Sequence, residues 1–147
     1  IIYSGTVAAA MEGAMQNIPS IAFSIDSFNP KSFDTSKCII RQIINLAIEN
    51  RINKNFIWNV NIPNCEIDQL KGIKVASQGN QYFNDDFDTR LDPKGNKYYW
   101  MVGKMIDEDS TFDSDSYVVK NDYASISPIR FNLSSSKEIE EMKKILD

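Results

Sequence analysis

The chain has 147 residues, 42% of them hydrophobic and 24% charged, which suffices for one core, and one domain or part of one is expected. A formal net charge of −4 and a pI near 4.9 argue against a general nucleic-acid surface, which needs clustered Lys and Arg to displace counterions, so no DNA partner is expected. Histidine is absent. That removes Ser-His-Asp and Cys-His catalysis, the His-Glu-x-x-His zinc site and any imidazole base.

Cys38 and Cys65 are far apart and belong to no Cys-x-x-Cys pair, which suits buried free thiols in a reducing compartment better than a disulfide framework or a zinc ribbon. No stretch approaches the roughly 20 apolar residues that span a bilayer, and no signal core is present. The expectation is a cytoplasmic chain with no membrane partner.

In chain order, the first element is a helix. Val7, Met11, Ala14 and Ile18 repeat at helical spacing, Ser4 is a good N-cap, and Asn17 before Ile18-Pro19 closes the helix because Asn tolerates the left-handed position. The apolar Ile1-Ile2 ahead of it predicts a strand that hands over to the helix at Ser4-Gly5-Thr6. That turn outlines an anion site. First-turn N–H groups are unpaired at the positive end of the dipole, Gly5 permits close approach, and the Ser4 and Thr6 hydroxyls add donors. A plain cap at Ser4 with an easy turn at Gly5 accounts for the same residues.

Ser20 to Ile25 reads as a short buried strand, followed by a polar loop from Asp26 to Pro30. Loops at this edge of an open α/β sheet carry ligands, which makes Asp26 a candidate; an Asp that caps the loop and faces water is the competing reading. From about Ser32 to Asn50, the residues Ile39, Ile40, Ile43, Ile44, Ala47 and Ile48 form a wide helical stripe that packs on the sheet, with Arg41, Gln42 and Glu49 as surface residues. Phe56 to Pro63 reads as the next strand. Asn59 and Asn61 project to one side of it, where amides that hold neighbouring loops are the favoured reading over amides that contact a substrate. Alternation of helix and strand points to an α/β layered arrangement with a parallel sheet.

Beyond Pro63 the texture is that of hairpins, with strand-like pieces at Lys74 to Gln78, Gln81 to Phe87 and Tyr98 to Val102 separated by Gly79-Asn80 and Asp92-Pro93-Lys94-Gly95. Tyr98-Tyr99-Trp100 reads as an interface or core cluster, or as a surface on which a base stacks. The acidic run Asp107 to Asp115 fails the calcium-loop test, because Phe112 stands where the sharp turn needs Gly, and reads as a solvated loop. Tyr123 to Ile129 alternates as a strand. Ser135 with Glu138 makes a capping box for a last helix whose stripe, Ile139, Met142, Ile145 and Leu146, docks on its own core or on another subunit.

The string Tyr3-Ser4-Gly5-Thr6-Val7-Ala8-Ala9-Ala10-Met11-Glu12-Gly13, followed by Ile18-Pro19-Ser20-Ile21-Ala22, resembles the survival protein SurE family of metal-dependent nucleotidases. The likeness continues through Asn59-Val60-Asn61-Ile62-Pro63, the segment from Arg90 to Trp100, and Tyr123 to Ile129, with Asp122 standing where the family usually has Gly. Thr111 to Asp113 matches only loosely a Thr-Asp step of the family. The resemblance implies an α/β fold, a three-layer Rossmann-like sheet with helices on both faces, plus a projecting β-hairpin extension over about 64–121 and a C-terminal helix over 135–147, all in one domain spanning 1–147. It implies removal of phosphate from nucleoside monophosphates, and of short polyphosphates in some members, with a divalent metal, Mg or Mn. The metal would be held by an Asp-Asp pair, a Ser and an Asn that precede the Tyr-Ser-Gly-Thr string, so no metal ligand falls in this sequence and an upstream segment is expected. Ser4, Gly5 and Thr6 become the phosphate-side wall of the site, and the hairpin implies a homodimer or homotetramer. The alternative is a non-catalytic phosphate- or nucleotide-binding or oligomerisation module.

Overall fold

A computed structural model describes residues 1–50, 52 and 54–146. The first helix, α1, spans Gly5–Met15; Ser4 caps it as expected, its Oγ accepting the Val7 N–H at 3.2 Å. At the other end Asn17 takes φ 62°, and the N–H groups of Asn17 and Ile18 bond back to the carbonyls of Ala14 and Gly13, at 2.9 and 3.0 Å. This is the left-handed closure that the Asn-Ile-Pro sequence announces. No strand precedes α1: residues 1–3 form a turn closed by Ser4 N–H to the Ile1 carbonyl, with Ile2 and Tyr3 exposed. An apolar dipeptide becomes a strand only where a neighbouring strand pairs with it, and none does so here among the described residues.

Strand β1 (Ile21–Ile25) pairs parallel with β2 (Ile57–Ile62), and helix α2 (Asp34–Glu49) lies between them in sequence. Because side chains alternate along strands, the two sheet faces carry different sets. One buries Ala22 and Ile57 under Val7, Ala10 and Ala14 of α1; the other buries Val60, Ile62 and Ala124 under Ile39 and Ile43 of α2. Helices therefore cover both faces, in three layers. Small residues let α1 lie close: at Gly13 a β-carbon would collide with the Ser20 side chain. The α2 stripe is wider than the surface it buries, since Ile44 and Ile48 remain exposed beside Pro19 and Ile21.

The sheet is mixed rather than parallel, in the order β1-β2-β8-β3. Strand β3 (Gly72–Val75) lies parallel to β8 (Tyr123–Ile129), and β8 lies antiparallel to β2. The piece read as a hairpin strand from Lys74 is thus an edge of the main sheet. Between β3 and β8 the chain makes an excursion of more than forty residues, and the helix that closes it, α3 (Asp115–Lys120), packs on β8 as a crossover helix does. Pro128 is accommodated because β3 pairs with β8 only as far as Ile126, leaving the Pro128 edge without a partner strand.

The excursion itself is an exposed β arm. Strand β4 (Tyr82–Asn84) pairs with β7 (Lys104–Ile106) as its stem, and β5 (Phe87–Leu91) with β6 (Lys97–Met101) as its tip. The turn falls at Asp92 to Gly95, where Gly95 has φ 85° and Asp92 Oδ1 accepts the N–H groups of Lys94 and Asn96, each at 2.8 Å. Tyr99 and Trp100 are 66% and 56% exposed, so they are not core. The last helix, α4 (Ser136–Leu146), buries no residue; its apolar stripe is open from Ile139 to Leu146 and does not dock on this chain's core.

Candidate functional site

A polar cavity of about 510 Å³ opens on the α1 face of the sheet, between the N-terminus of α1 and α3. Its floor is the side of β1 and β2 that α1 leaves uncovered, where Ser24, Asn59 and Asn61 replace the apolar residues found under the helix. Directly across from Asn61 and Asn59 in the antiparallel pairing stand Ser125 and Ser127, both fully buried. A sheet face that changes from Ala and Ile to Asn and Ser along its strands is built for a polar occupant.

Ser4 lines this cavity and is half-buried. Its two sequence readings coexist: the hydroxyl oxygen accepts the capping bond from Val7, and the hydroxyl proton is still available to an anion. Gly5 and Thr6 do not line the cavity. They stand exposed in the same first turn, ahead of the first intrahelical bond, that of the Ala8 N–H to the Ser4 carbonyl at 2.9 Å. A β-carbon on Gly5 would meet nothing within 4 Å, so the approach to this turn is open. Asp26, at the C-terminal end of β1, is exposed and lines the cavity.

The far wall comes from the segment read as a solvated acidic loop, and here that reading is corrected. Asp115 is only 9% exposed and Asp107 has a side chain 6% exposed. Ser114 caps α3, its hydroxyl accepting the Tyr117 N–H at 3.3 Å. Asp115 then accepts the Gly79 N–H at 2.8 Å and the Asn61 amide at 3.3 Å, which ties the helix to β2 and to the segment that follows β3. Burial pushes the Asp115 carboxyl above its ordinary value, against the Gly79 and Ser116 N–H groups, which favour the anion. Asp107 goes the other way. Burial opposes its ionisation, but Lys120 at 2.6 Å, the Gln81 amide and the Asp109 N–H outweigh that and bring it down to about 2. Asp109 accepts from the Asn80 N–H and from the Ser114 and Ser116 hydroxyls, at 2.9, 2.7 and 2.9 Å. The carboxylates are spent on order within the protein.

The sequence reading missed Asp115, Lys120, Ser24 and the Gln78-Gly79 turn as cavity residues. One signal was readable: Ser114-Asp115 followed by Val118-Val119 is a capped amphipathic turn. Asn59 and Asn61, read as holding loops, do line the cavity, and Asn61 does hold α3 through Asp115. Among the described residues no group of three or more His, Cys, Asp or Glu is close enough to hold a metal ion. Asp26 and Asp115 are the carboxylates that line the cavity, and Asp115 is already engaged. The donors present do not by themselves fit the divalent metal that the family resemblance implies.

Fold and cavity together define an α/β protein of the layered, open-sheet class with a polar cavity beside a helix N-terminus. Residues 1–85, more than half of the chain, match the model of the family described as survival protein SurE. The chain belongs to the SurE family. It is 40% identical to the 5'-nucleotidase SurE of Pelotomaculum thermopropionicum, over 99% of this chain and 55% of that protein. It is 38% identical to that of Petrotoga mobilis, over 100% of this chain and 58% of that protein. The crystal structure of the SurE protein from Aquifex aeolicus superposes with a TM-score of 0.80 at 33% identity, covering 99% of this chain and 59% of that one. The chain thus spans just over half the length of the curated relatives it matches. No described helix is long and apolar enough to cross a membrane.

Proposed function

We propose that this chain is the C-terminal portion of a metal-dependent phosphohydrolase that removes phosphate from nucleoside monophosphates in the cytoplasm. The observation that carries the reading is the Ser4-capped N-terminus of α1 opening beside a polar cavity, in a chain whose relatives are named 5'-nucleotidases. Ser4 at the cavity, with Gly5 and Thr6 beside it in the open first turn of α1, forms the phosphate-side wall. The N–H groups of Gly5 and Thr6 and the hydroxyls of Ser4 and Thr6 hold the phosphoryl oxygens and stabilise charge developing on the transferred group. The divalent metal, Mg or Mn, has its ligands in a part of the protein that precedes Ile1, and these residues supply binding without the nucleophile. The exposed aromatic arm and the open stripe of α4 serve subunit contacts in a homodimer or homotetramer.

The test is phosphate release from nucleoside monophosphates by the full-length protein, with and without EDTA, beside the same assay on residues 1–147. Release by the long form that EDTA abolishes, and none by the short form, is expected. Metal-dependent release by residues 1–147 alone refutes the division of labour. Nucleotide binding by the full-length protein without turnover replaces the enzyme with a binding module.

A further inference from the structure

The stem of the arm contributes to the lining of the same cavity as Ser4, and its register decides which side chains share a face. Tyr82 pairs with Ile106 and Phe83 with Met105, so Gln81, Phe83, Met105 and Asp107 share one face of the stem. Gln81, Phe83 and Met105 of that face line the cavity, joined by Tyr82 from the next position on β4, and the Gln81 amide donates to Asp107 at 2.6 Å, which in turn pairs with Lys120, a cavity residue on α3. Phe83 and Met105 therefore stand side by side against the cavity, 44% and 58% exposed, next to polar groups that already satisfy one another. Gly103 fixes the ring: a β-carbon there would collide with Phe83 and with the Asn84 carbonyl.

We propose that Phe83 and Met105 form an apolar wall on which the nucleobase of the substrate stacks while its phosphate sits at Ser4, with Gly103 as a positioning residue for the ring. The proposal rests on the nucleotide reading above and adds the base end of the site. An aromatic face with an adjacent thioether is a surface for a flat π-system. A cavity of about 510 Å³ lined both by Ser4 and by this wall suits a ligand that is anionic at one end and flat and apolar at the other.

The experiment uses the full-length protein and two ligands that cannot be hydrolysed to a new species, adenosine and inorganic phosphate, titrated by NMR into wild type, Phe83→Ala and Phe83→Trp. Phe83 lies outside both core clusters, so the variants fold. Phe83→Ala weakens adenosine about tenfold, the lower part of the range for losing one stacking partner, and leaves phosphate within about twofold; Phe83→Trp retains adenosine. The wall is overturned if wild type does not bind adenosine, if Phe83→Ala leaves adenosine unchanged, or if both ligands weaken equally. Failure of the nucleotidase reading looks different: adenosine binds and depends on Phe83, but phosphate neither binds nor is released from nucleotides.

Discussion

Replacing Asp115 with Ala tests the joint on which the site depends. The carboxylate accepts the Gly79 N–H at 2.8 Å and the Asn61 amide at 3.3 Å while only 9% of the residue is exposed. Ala removes both bonds and leaves the half-buried Gly79 N–H without its acceptor, at about 1–3 kcal/mol. The second bond is long and adds less, about 0.5 kcal/mol. The first turn of α3 also loses a favourable negative charge, about 0.3–1 kcal/mol. Against this, Ala avoids burying a carboxylate, the effect that raises the Asp115 pKa, so the net destabilisation is about 2–3 kcal/mol. Asp115→Asn keeps one acceptor and sheds the buried charge, and costs about 1 kcal/mol or less. Urea unfolding of the intact protein measures both, as shifts in midpoint at constant slope. A carboxyl whose folded pKa is raised favours folding below its unfolded pKa and loses that advantage as pH rises through the folded value, so the gap between wild type and Asp115→Asn changes above pH 4, not below it. An Asp115→Ala cost under about 0.5 kcal/mol, or equal to that of Asn, would refute the claim that this carboxylate pins α3 to the sheet.

Asp107 behaves oppositely. Its folded pKa of about 2 lies below the ordinary 3.8, so its stabilisation is present above pH 4 and disappears as pH falls through 2. Lys120 is half exposed, and the screened contribution is about 1–2 kcal/mol; Asp107→Asn loses it at neutral pH, and the two unfolding curves converge below pH 2. At Asp122, φ is 63°, a conformation that Asp tolerates and Gly adopts freely. Asp122→Gly is neutral or stabilising by up to about 1 kcal/mol, since the solvent-exposed Lys71 pair it loses is weak, whereas Asp122→Ala destabilises by about 1 kcal/mol; thermal melts give the order. Ser4→Ala removes the Val7 cap and costs about 1 kcal/mol of stability. In the full-length protein it weakens inorganic phosphate several-fold, about what one hydrogen bond to a charged ligand contributes, and leaves adenosine unchanged. Equal effects of Ser4→Ala on both ligands separate the cap from the phosphate site.

Features determined by neighbours in sequence were legible from the start. Ser4 and Asn17 bound α1 because capping and left-handed closure are decided within a few residues. The stripe of α2, the alternation of β2 and β8, and the Asp92 to Gly95 turn are local in the same way. Family membership was legible too, since it rests on strings such as Tyr3 to Gly13. Pairing between strands is not local. Nothing near Lys74 says that β3 joins the main sheet, and nothing near Ser125 says that β8 runs against β2 from more than sixty residues away. An acidic run looks solvated until its partners are known, and the partners of Asp115 and Asp107 are Gly79, Asn61, Gln81 and Lys120. The cavity is made wholly of such meetings, with Ser4 from one helix terminus, Asn61 from a strand, Asp115 from another helix and Phe83 from the arm. Side-chain type and spacing specified what each element could offer, and the tertiary fold alone decided which of them face one another, because that depends on closing loops of tens of residues around a shared core.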